Sequence, residues 1–389
     1  MSDNSVLVGM SGGVDSSVAA YLLQQQGFAV TGATMKLFDN EAVGEELEST
    51  CCSLSDVEDA RRVAYRLGIP HYVFNFSEAF QHMVMDHFAQ CYACGLTPNP
   101  CIDCNRYMKF ERMLRRAREL GIWYAATGHY ARRTWDGERW LLKKGLDPEK
   151  DQSYFLYHLT QPWLEHFLLP LGELTKPQVR EIAEEQGFVN ARKRDSQDIC
   201  FVPDGDYGAF LDRYTGRSSE PGQYVNAAGE VLGTHKGHTH YTIGQRKGLE
   251  LAMGHRVYVT GKDVEKNLVY IGENEDLFSS GLTANDLNLI ACDSIPAPIR
   301  CTAKIRHSRY EAPATVEQIG EDAIAVRFDQ PQRAIAPGQA VVLYDGDTVI
   351  GGGQWQMVDG KLTLIVIDNT VYPEVPTTGT YKAGNATQK

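Results

Sequence analysis

The sequence predicts a protein of the α/β class, with a parallel sheet covered by helices, then a small central domain and a C-terminal β-barrel. Short apolar strands alternate with helices of 3.6-residue periodicity in the first half of the chain, which is typical of a parallel sheet covered on both faces. After about residue 205 glycine becomes frequent and helical periodicity fades. From Leu282 onward, short alternating runs are separated by Gly, Pro and Asp, as in an antiparallel barrel.

Each element follows from a local pattern. The first helix has apolar residues at 18, 19, 22 and 23, and Ser55 with Glu58 forms a capping box that starts the second. Thr175 with Gln178 marks another helix start. Apolar runs predict strands at 6–10, 30–35, 71–76 and 123–127, and alternating runs predict barrel strands at 323–328, 340–344 and 361–367. We therefore expect an α/β domain over 1–205, a central domain over 206–281, the barrel over 282–377 and a tail over 378–389.

Composition limits the class of protein. The 389 residues are 43% hydrophobic and 23% charged, which is ordinary for a globular protein. No stretch approaches the roughly 20 apolar residues that span a bilayer, and no targeting segment is evident, so we expect a cytoplasmic monomer without a membrane partner. The net charge of −12 argues mildly against a nucleic-acid partner. Basic residues nevertheless cluster at 112–118, 132–133, 143–144, 192–194, 246–247 and 304–309, which keeps a polyanionic partner open.

The segment 11–17, SGGVDSS, lies directly between the first strand and the first helix. Its two glycines let the backbone bring N–H groups close to phosphate oxygens, and the helix N-terminus favours negative charge. The hydroxyls of Ser11, Ser16 and Ser17 add donors, and Asp15 is placed to hold Mg²⁺ or to cap the helix. A lone Gly-Gly would be a plain turn, but the whole segment in this context predicts phosphate binding.

Three cysteines lie in unusual surroundings. Cys101 and Cys104 form a C-x-x-C motif after two prolines, and we expect it to precede a helix that starts near Tyr107. Thiols near a helix N-terminus and basic residues have lowered pKa values, so the thiolate form is expected there. Cys200 lies in a polar run far along the chain. These thiols predict chemistry at sulfur rather than a disulfide framework.

The glycine loop lacks the lysine of the usual P-loop and resembles the SGG-x-DS loop of the PP-loop ATP pyrophosphatases. That family has an adenine nucleotide α-hydrolase-like sheet and cleaves ATP between the α and β phosphates. The resemblance implies ATP with Mg²⁺, an adenylated intermediate and pyrophosphate release. The loop alone does not choose among the members of that superfamily.

Further segments resemble one family, the tRNA-specific 2-thiouridylases, over nearly the whole chain. They occur in the family's order, at 97–105 (TPNPC-x-x-CN), 127–130 (TGHY), 150–155 (KDQSYF), 196–201 (SQDICF) and 241–248 (YTIGQRKG). The resemblance implies that 1–205 is the PP-loop catalytic domain with tRNA-contacting helices, and that the enzyme thiolates position 2 of a tRNA uridine, at the wobble position. It implies two partners, tRNA and a sulfur donor, either a persulfide carrier protein or sulfide.

The resemblance also implies roles for individual residues. It makes Cys104 the nucleophile and Cys200 the persulfide carrier, and the two can form a disulfide. It places ATP at Gly9, Met10, Ser11, Gly12, Gly13, Val14, Asp15, Ser16, Met35 and Gly128. It places the target base at Asn99, Pro100 and Cys101, and tRNA contacts at His129, Lys150, Asp151, Gln152, Arg309, Tyr310 and Gln339.

One departure leaves the sulfur chemistry open. Many relatives have Asp where this chain has Cys101. Cys101, Cys104 and Cys200 could therefore ligate a [4Fe–4S] cluster with one iron open for hydrosulfide, whereas the persulfide hypothesis needs only Cys104 and Cys200. Two rival functions also stay open: a PP-loop amide ligase without need of these thiols, and a tRNA-binding or sulfur-relay protein that consumes no ATP.

The other cysteines carry weaker signals. Cys91 and Cys94 add a second C-x-x-C before the first, a spacing that superficially suggests zinc. They fall at the expected end of a helix, where burial is the common fate of cysteine. Cys51 and Cys52 are interpreted as loop or packing residues, and Cys292 and Cys301 as barrel core.

Overall fold

The computed structural model describes residues 4–38, 54–193 and 199–355. Its first sheet has five parallel strands in the order β3-β2-β1-β4-β7. Strand β1 is fully buried at Val6, Leu7 and Val8, as expected of a parallel sheet between two helical layers. The elements are β1 Ser5–Gly9, α1 Val14–Gln25, β2 Ala29–Lys36, α2 Leu54–Leu67, β3 His71–Asn75, β4 Tyr124–Ala126 and β7 Phe167–Leu168.

The next two helices each contain a wider π-type stretch. Helix α3 (77–93) joins Ser77–Phe80, Gln81–Met85 and Asp86–Ala93, and helix α4 (100–119) joins Pro100–Asp103, Cys104–Arg112 and Met113–Glu119. The prediction that a helix starts near Tyr107 is wrong. Helix α4 starts at Pro100, because Asn99 accepts a hydrogen bond from the Cys101 amide and caps the helix; proline suits the first helical position.

The two faces of the parallel sheet have separate hydrophobic cores. On one face α4 contributes Met113, Leu114 and Ala117, which pack with Leu7 of β1. The other face is covered by α1, α2 and α6. Two further helices complete this part of the chain, α5 Gln161–His166 and α6 Lys176–Glu185. The capping box predicted at Thr175 is confirmed.

A small domain follows the α/β part. Helix α7 (Tyr207–Thr215) leads into a four-stranded sheet in the order β10-β11-β8-β9. The strands are β8 Gly222–Val225, β9 Val231–His235, β10 Tyr258–Asp263 and β11 Leu268–Gly272. This small domain contacts the segment that follows α3. Gly95 of that segment has a positive φ, and a Cβ there would lie 2.8 Å from the side chain of Val264, between β10 and β11. Glycine therefore permits this close approach.

The last sheet is a closed antiparallel barrel, as predicted. Its order is β12-β15-β14-β13-β16-β17, and β12 pairs with β17 to close it. The strands are β12 Phe278–Leu289, β13 Ile299–Lys304, β14 Ala312–Gly320, β15 Ala323–Arg333, β16 Ala340–Asp345 and β17 Thr348–Gln354. The strand predicted at 361–367 lies outside the described residues.

The barrel sheet also includes a hairpin from the α/β domain, which the sequence did not suggest. Strands β5 (Ala131–Trp135) and β6 (Trp140–Lys144) pair with each other, and β6 pairs with β17. Short 3₁₀ turns occur at Ser153–Leu156, His238–His240 and Glu275–Leu277. None of the helices in the described ranges has the length and apolar content that a bilayer crossing requires.

Candidate active site

The glycine loop joins β1 to α1 in the position predicted for it. Gly12 has φ +75°, and a Cβ there would lie 2.7 Å from the Cα of Asp56, so the turn needs glycine for its conformation and for space. The Ser16 hydroxyl accepts from the Ser11 amide at 3.1 Å and donates to the Gly13 carbonyl at 3.1 Å. The Ser17 hydroxyl donates to the same carbonyl. The serine hydroxyls thus hold the loop as well as line it.

Two residues missed by sequence reasoning brace this loop from outside. The buried Asn190 amide donates to the Gly12 carbonyl and to the Ser17 hydroxyl, both at 2.9 Å. Lys193 pairs with Asp56 at 2.6 Å and Asp59 at 2.7 Å. Lys193 belongs to the basic run at 192–194 and is partly exposed, but its amine joins α2 to the loop, since it also donates to the Gly12 carbonyl at 3.4 Å. Its only sequence signal was that charge.

Asp15 lies in the first turn of α1 but does not cap it. Its Oδ1 and Oδ2 accept from Lys176 Nζ at 2.7 and 2.8 Å, and Tyr130 donates its hydroxyl to Oδ1 at 2.7 Å. Capping as a role for Asp15 is therefore wrong. Since Lys176 engages both oxygens, Asp15 is not an open Mg²⁺ ligand in this conformation. Lys176, also missed from sequence, sets a cation at the loop.

Other residues predicted to bind the nucleotide lie on neighbouring segments: Gly128 after β4, Met10 after β1 and Met35 on β2. A Cβ on Gly128 would lie 2.7 Å from the Asp15 carbonyl carbon and 2.8 Å from the Ser16 amide. Glycine therefore lets the segment after β4 lie against the start of α1. Met10 is buried, and Thr34 donates its hydroxyl to the Met10 carbonyl. Met35, at the end of β2, borders the hydrophobic clusters beneath the site.

The fold gathers two of the predicted thiols at one hydrophobic cluster. Cys104 and Cys200 are half-buried and both pack against the cluster that contains Phe88, Tyr92 and Phe201. All seven cysteines of the described residues are outside disulfides. Cys51 and Cys52 lie outside those residues, as does the segment 194–198.

Cys101 is exposed, in the first turn of α4. Within the described ranges, no three His, Cys, Asp or Glu side chains are placed to hold a metal ion. Cys101, Cys104 and Cys200 therefore do not fit a cluster as they stand, and Cys91 with Cys94 forms no zinc site with them.

A turn of the barrel holds the segment that leads to these thiols. The Thr97 amide donates to the Pro337 carbonyl at 2.6 Å, and Gln339 Nε2 donates to the Thr97 carbonyl at 2.8 Å. A Cβ on Gly338 would lie 2.9 Å from the Thr97 nitrogen. Gln339, predicted to contact tRNA, here positions the start of α4.

The other predicted tRNA residues divide into buried and exposed ones. His129 is buried, its Nδ1 lies 2.6 Å from the Thr127 hydroxyl, and burial holds its pKa well below the ordinary value. Gln152 accepts from the Tyr130 amide at 3.0 Å. Asp151 is buried and pairs with Lys304 at 3.1 Å. His129 and Asp151 are buried and Gln152 is half-buried, and all three side chains make contacts within the protein.

The remaining residues of that set are accessible. Tyr310 is 62% exposed. Arg309 is also exposed and pairs with Glu149, while Lys150 is half-buried. Within this set, the barrel residues Arg309 and Tyr310 are therefore better placed than the buried residues to contact a polyanion.

Basic side chains of the runs at 132–133 and 143–144 form salt bridges within the protein. Arg132 and Lys143 pair with Asp347 at 2.8 and 3.3 Å, and Lys144 pairs with Glu311 at 2.5 Å. These pairs join the β5–β6 hairpin to the barrel. Their clustering in sequence reflects this junction rather than an open basic face.

Models of three domain families match the chain in sequence. The tRNA methyl transferase HUP domain matches residues 4–204, the tRNA methyl transferase PRC-barrel domain residues 208–273, and the aminomethyltransferase beta-barrel domain residues 279–354. Together with the loop after β1, these matches define a HUP-class protein that carries two further domains.

Whole-chain relatives are more specific. The tRNA-specific 2-thiouridylase MnmA of Clostridioides difficile (strain 630) is 51% identical, over 90% of this chain and 98% of the relative. That of Carboxydothermus hydrogenoformans is 53% identical, over 90% and 96%. The solved 4-thiouridine synthetase–RNA complex with bound ATP is 21% identical, over 51% of this chain and 45% of that chain, with a TM-score of 0.35. The chain belongs to the tRNA-specific 2-thiouridylase family.

Proposed function

We propose that this protein uses ATP to replace the C2 oxygen of a tRNA uridine, the wobble base, by sulfur. Uracil C2 is a poor electrophile because its oxygen leaves poorly. Transfer of AMP from ATP to that oxygen, with loss of pyrophosphate, makes AMP the leaving group. The reaction is supported by relatives named tRNA-specific 2-thiouridylase, which are 51% and 53% identical to the chain.

The loop residues supply the adenylation step. Backbone amides at Gly12 and Gly13 and the N-terminus of α1 present positive charge to the phosphates. Lys176 adds a cation, since it lies at this loop on Asp15. We assign nucleotide contacts to Gly9, Met10, Ser11, Gly12, Gly13, Val14, Asp15, Ser16, Met35 and Gly128.

For the sulfur step we propose a persulfide on Cys200. Its terminal sulfur attacks C2 and AMP departs, which leaves a Cys200–S–S–C2 linkage. The Cys104 thiolate then attacks the Cys200 sulfur and forms a Cys104–Cys200 disulfide, so that 2-thiouridine is released. A dithiol reductant restores both thiols. The observation that carries this proposal is the packing of both side chains on one hydrophobic cluster.

The base must leave its stack to reach these thiols. We assign the target base to Asn99, Pro100 and Cys101 at the start of α4. We assign tRNA contacts to the exposed residues Arg309 and Tyr310 and to the half-buried Lys150. His129, Asp151, Gln152 and Gln339 act by holding the surrounding backbone. A [4Fe–4S] cluster on Cys101, Cys104 and Cys200 would need those thiols to move together, so we derive no step through it.

The test is thiolation of unmodified tRNA by protein purified without oxygen, with ATP and either sulfide or a persulfide donor. Loss in Cys104→Ser and Cys200→Ser, with Cys101→Ser active on the persulfide donor, supports the proposal. Activity that needs a reconstituted cluster and Cys101 makes the three cysteines ligands. Activity of the Cys104→Ser/Cys200→Ser double variant on another acceptor indicates an amide ligase. If Asp15→Ala binds tRNA and carries persulfide as well as the unchanged protein does, without consuming ATP, the protein is a non-catalytic relay protein.

A further inference from the structure

A second arrangement of nucleophile, base and carboxylate lies between α3 and α4. Cys91 Sγ is 3.4 Å from His87 Nε2, and His87 Nδ1 is 2.9 Å from Asp103 Oδ2. His87 and Cys91 are one helical turn apart on α3, and Asp103 comes from the first turn of α4. A cysteine beside an imidazole that a carboxylate orients is the arrangement by which proteins activate a thiol.

The parts of this array differ in exposure. Asp103 is 3% exposed, whereas the His87 side chain is 39% exposed. Hydrogen bonds with the Asp103 carboxylate, which accepts, and then with Cys91 raise the pKa of His87 to about 10. A protonated imidazole that faces a sulfur stabilises the negative charge that a nucleophilic sulfur carries. The carboxylate fixes the ring so that Nε2 points at the sulfur.

We propose that Cys91, with His87 and Asp103, is a sulfur-accepting site that takes the terminal sulfur of a persulfide donor. Cys91 is only 8% exposed, so the group that it accepts must be small, and one sulfur atom satisfies that limit. This role rests on the proposed function, because the accepted sulfur reaches uridine only if the Cys200 thiolate attacks it in turn and Cys91 leaves as a thiolate.

The transfer balances without an external oxidant. Cys91, as the thiolate beside the protonated His87, attacks the outer sulfur of R–S–SH. The donor S–S bond breaks, a new S–S bond forms on Cys91, and the leaving thiolate takes the proton held by His87. The products are a Cys91 persulfide and R–SH.

Cys94, the C-terminal cap residue of α3, is the matched comparison thiol. The residue as a whole is exposed. Partial desolvation of its thiol, and then the nearby Cys91, nevertheless raise the pKa of Cys94. A protonated thiol is a poor nucleophile. If exposure to the donor decides which thiol accepts sulfur, Cys94 is loaded. If activation by His87 decides, Cys91 is loaded, so the cysteine that carries the added sulfur distinguishes the two explanations.

The experiment treats the full chain with glutathione persulfide, alkylates with iodoacetamide, and measures sulfur added to each cysteine by peptide mass spectrometry. We expect Cys91 to load, with at least a tenfold loss in His87→Gln. His82→Gln is the control, because His82 pairs with Asp86 on the same helix at 3.0 Å without a thiol. Loading that persists unchanged in His87→Gln, or that occurs on Cys94 but not Cys91, overturns the inference.

A thiolation assay keeps the two proposals apart. We expect Cys91→Ser to lose activity severalfold with the persulfide donor. It should keep its activity with sulfide, since sulfide opens the Cys104–Cys200 disulfide of the previous turnover directly to a Cys200 persulfide and a Cys104 thiol. Equal activity of Cys91→Ser with both donors overturns the accepting role while leaving the thiolation function intact. Loading of Cys91 in a protein that thiolates tRNA with neither donor overturns the proposed function and supports the sulfur-accepting chemistry alone.

Discussion

Lys176 Nζ lies 2.7 and 2.8 Å from the two carboxylate oxygens of Asp15. The pair joins the first helical residue of α6 to the first turn of α1, directly beside the glycine loop. The amine is nearly buried and the carboxylate is 30% exposed. The pair therefore sets the charge that an incoming triphosphate meets.

Removal of this cation should weaken both folding and nucleotide binding. We expect Lys176→Met to cost roughly 1–3 kcal/mol in the free energy of unfolding, since it leaves a partly buried carboxylate without its charged partner. ATP affinity, measured by calorimetry, should fall as well. Asp15→Asn/Lys176→Met completes a double-mutant cycle. Equal costs of Lys176→Met in the Asp15 and Asn backgrounds would show that the pair is not coupled.

Gly128→Ala should damage the nucleotide site through contact alone. The added methyl would press on the Asp15 carbonyl carbon at 2.7 Å and on the Ser16 amide at 2.8 Å, so the start of α1 must shift. We expect destabilisation of about 1–3 kcal/mol and at least a tenfold loss of ATP affinity. Gly320→Ala is the control, because its Cβ would meet Ala323 at an ordinary 3.7 Å. Similar behaviour of the two variants would contradict the prediction.

Asn99 should contribute to stability as a helix cap, apart from any contact with the base. Asn99→Ala removes the acceptor of the Cys101 amide and should cost about 1 kcal/mol in urea unfolding. Asn99→Ser retains a capping oxygen and should recover most of that stability. If thiolation recovers with Ser as well, Asn99 acts through the start of α4; if only stability recovers, its amide contacts the substrate.

His158 should make the protein less stable in acid. Burial and then Arg106 lower its pKa, and Asp286 at 3.8 Å only partly opposes them. As the pH falls, His158 therefore takes up a proton in the unfolded chain before it does so in the folded protein. The free energy of unfolding is unaffected by this group well above a pH of about 6.5 and decreases as the pH falls below that value. His158→Phe should flatten the fall between pH 7 and pH 5 in a chemical unfolding series. An identical slope in both proteins would refute this assignment.

Local patterns predicted the parts of the site that are contiguous in sequence. The loop at 11–17 carries its own glycines and lies between β1 and α1, and Thr175 and Gln178 form a capping box that needs no distant partner. The start of α4 is also local, but it was expected near Tyr107, because Asn99 was not recognised as a helix cap or Pro100 as a first helical residue.

Long-range contacts explain what the sequence could not show. Lys176 is 161 positions from Asp15, and Asn190 is 178 positions from Gly12. Their side chains also suit a helix start and a turn, so composition offers no reason to assign them to the loop. Asp151 likewise looks available in sequence, and only the fold reveals its buried partner Lys304.

The β5–β6 hairpin has a practical consequence for how this protein can be divided. Its pairing with β17 and the Arg132–Asp347 bond make one sheet cross the boundary between the nucleotide domain and the barrel. A truncation before the barrel would strip the hairpin of its neighbour and expose an unpaired strand edge, a known route to aggregation. Chimeras between relatives should therefore exchange the barrel and the hairpin together, as a single inherited unit.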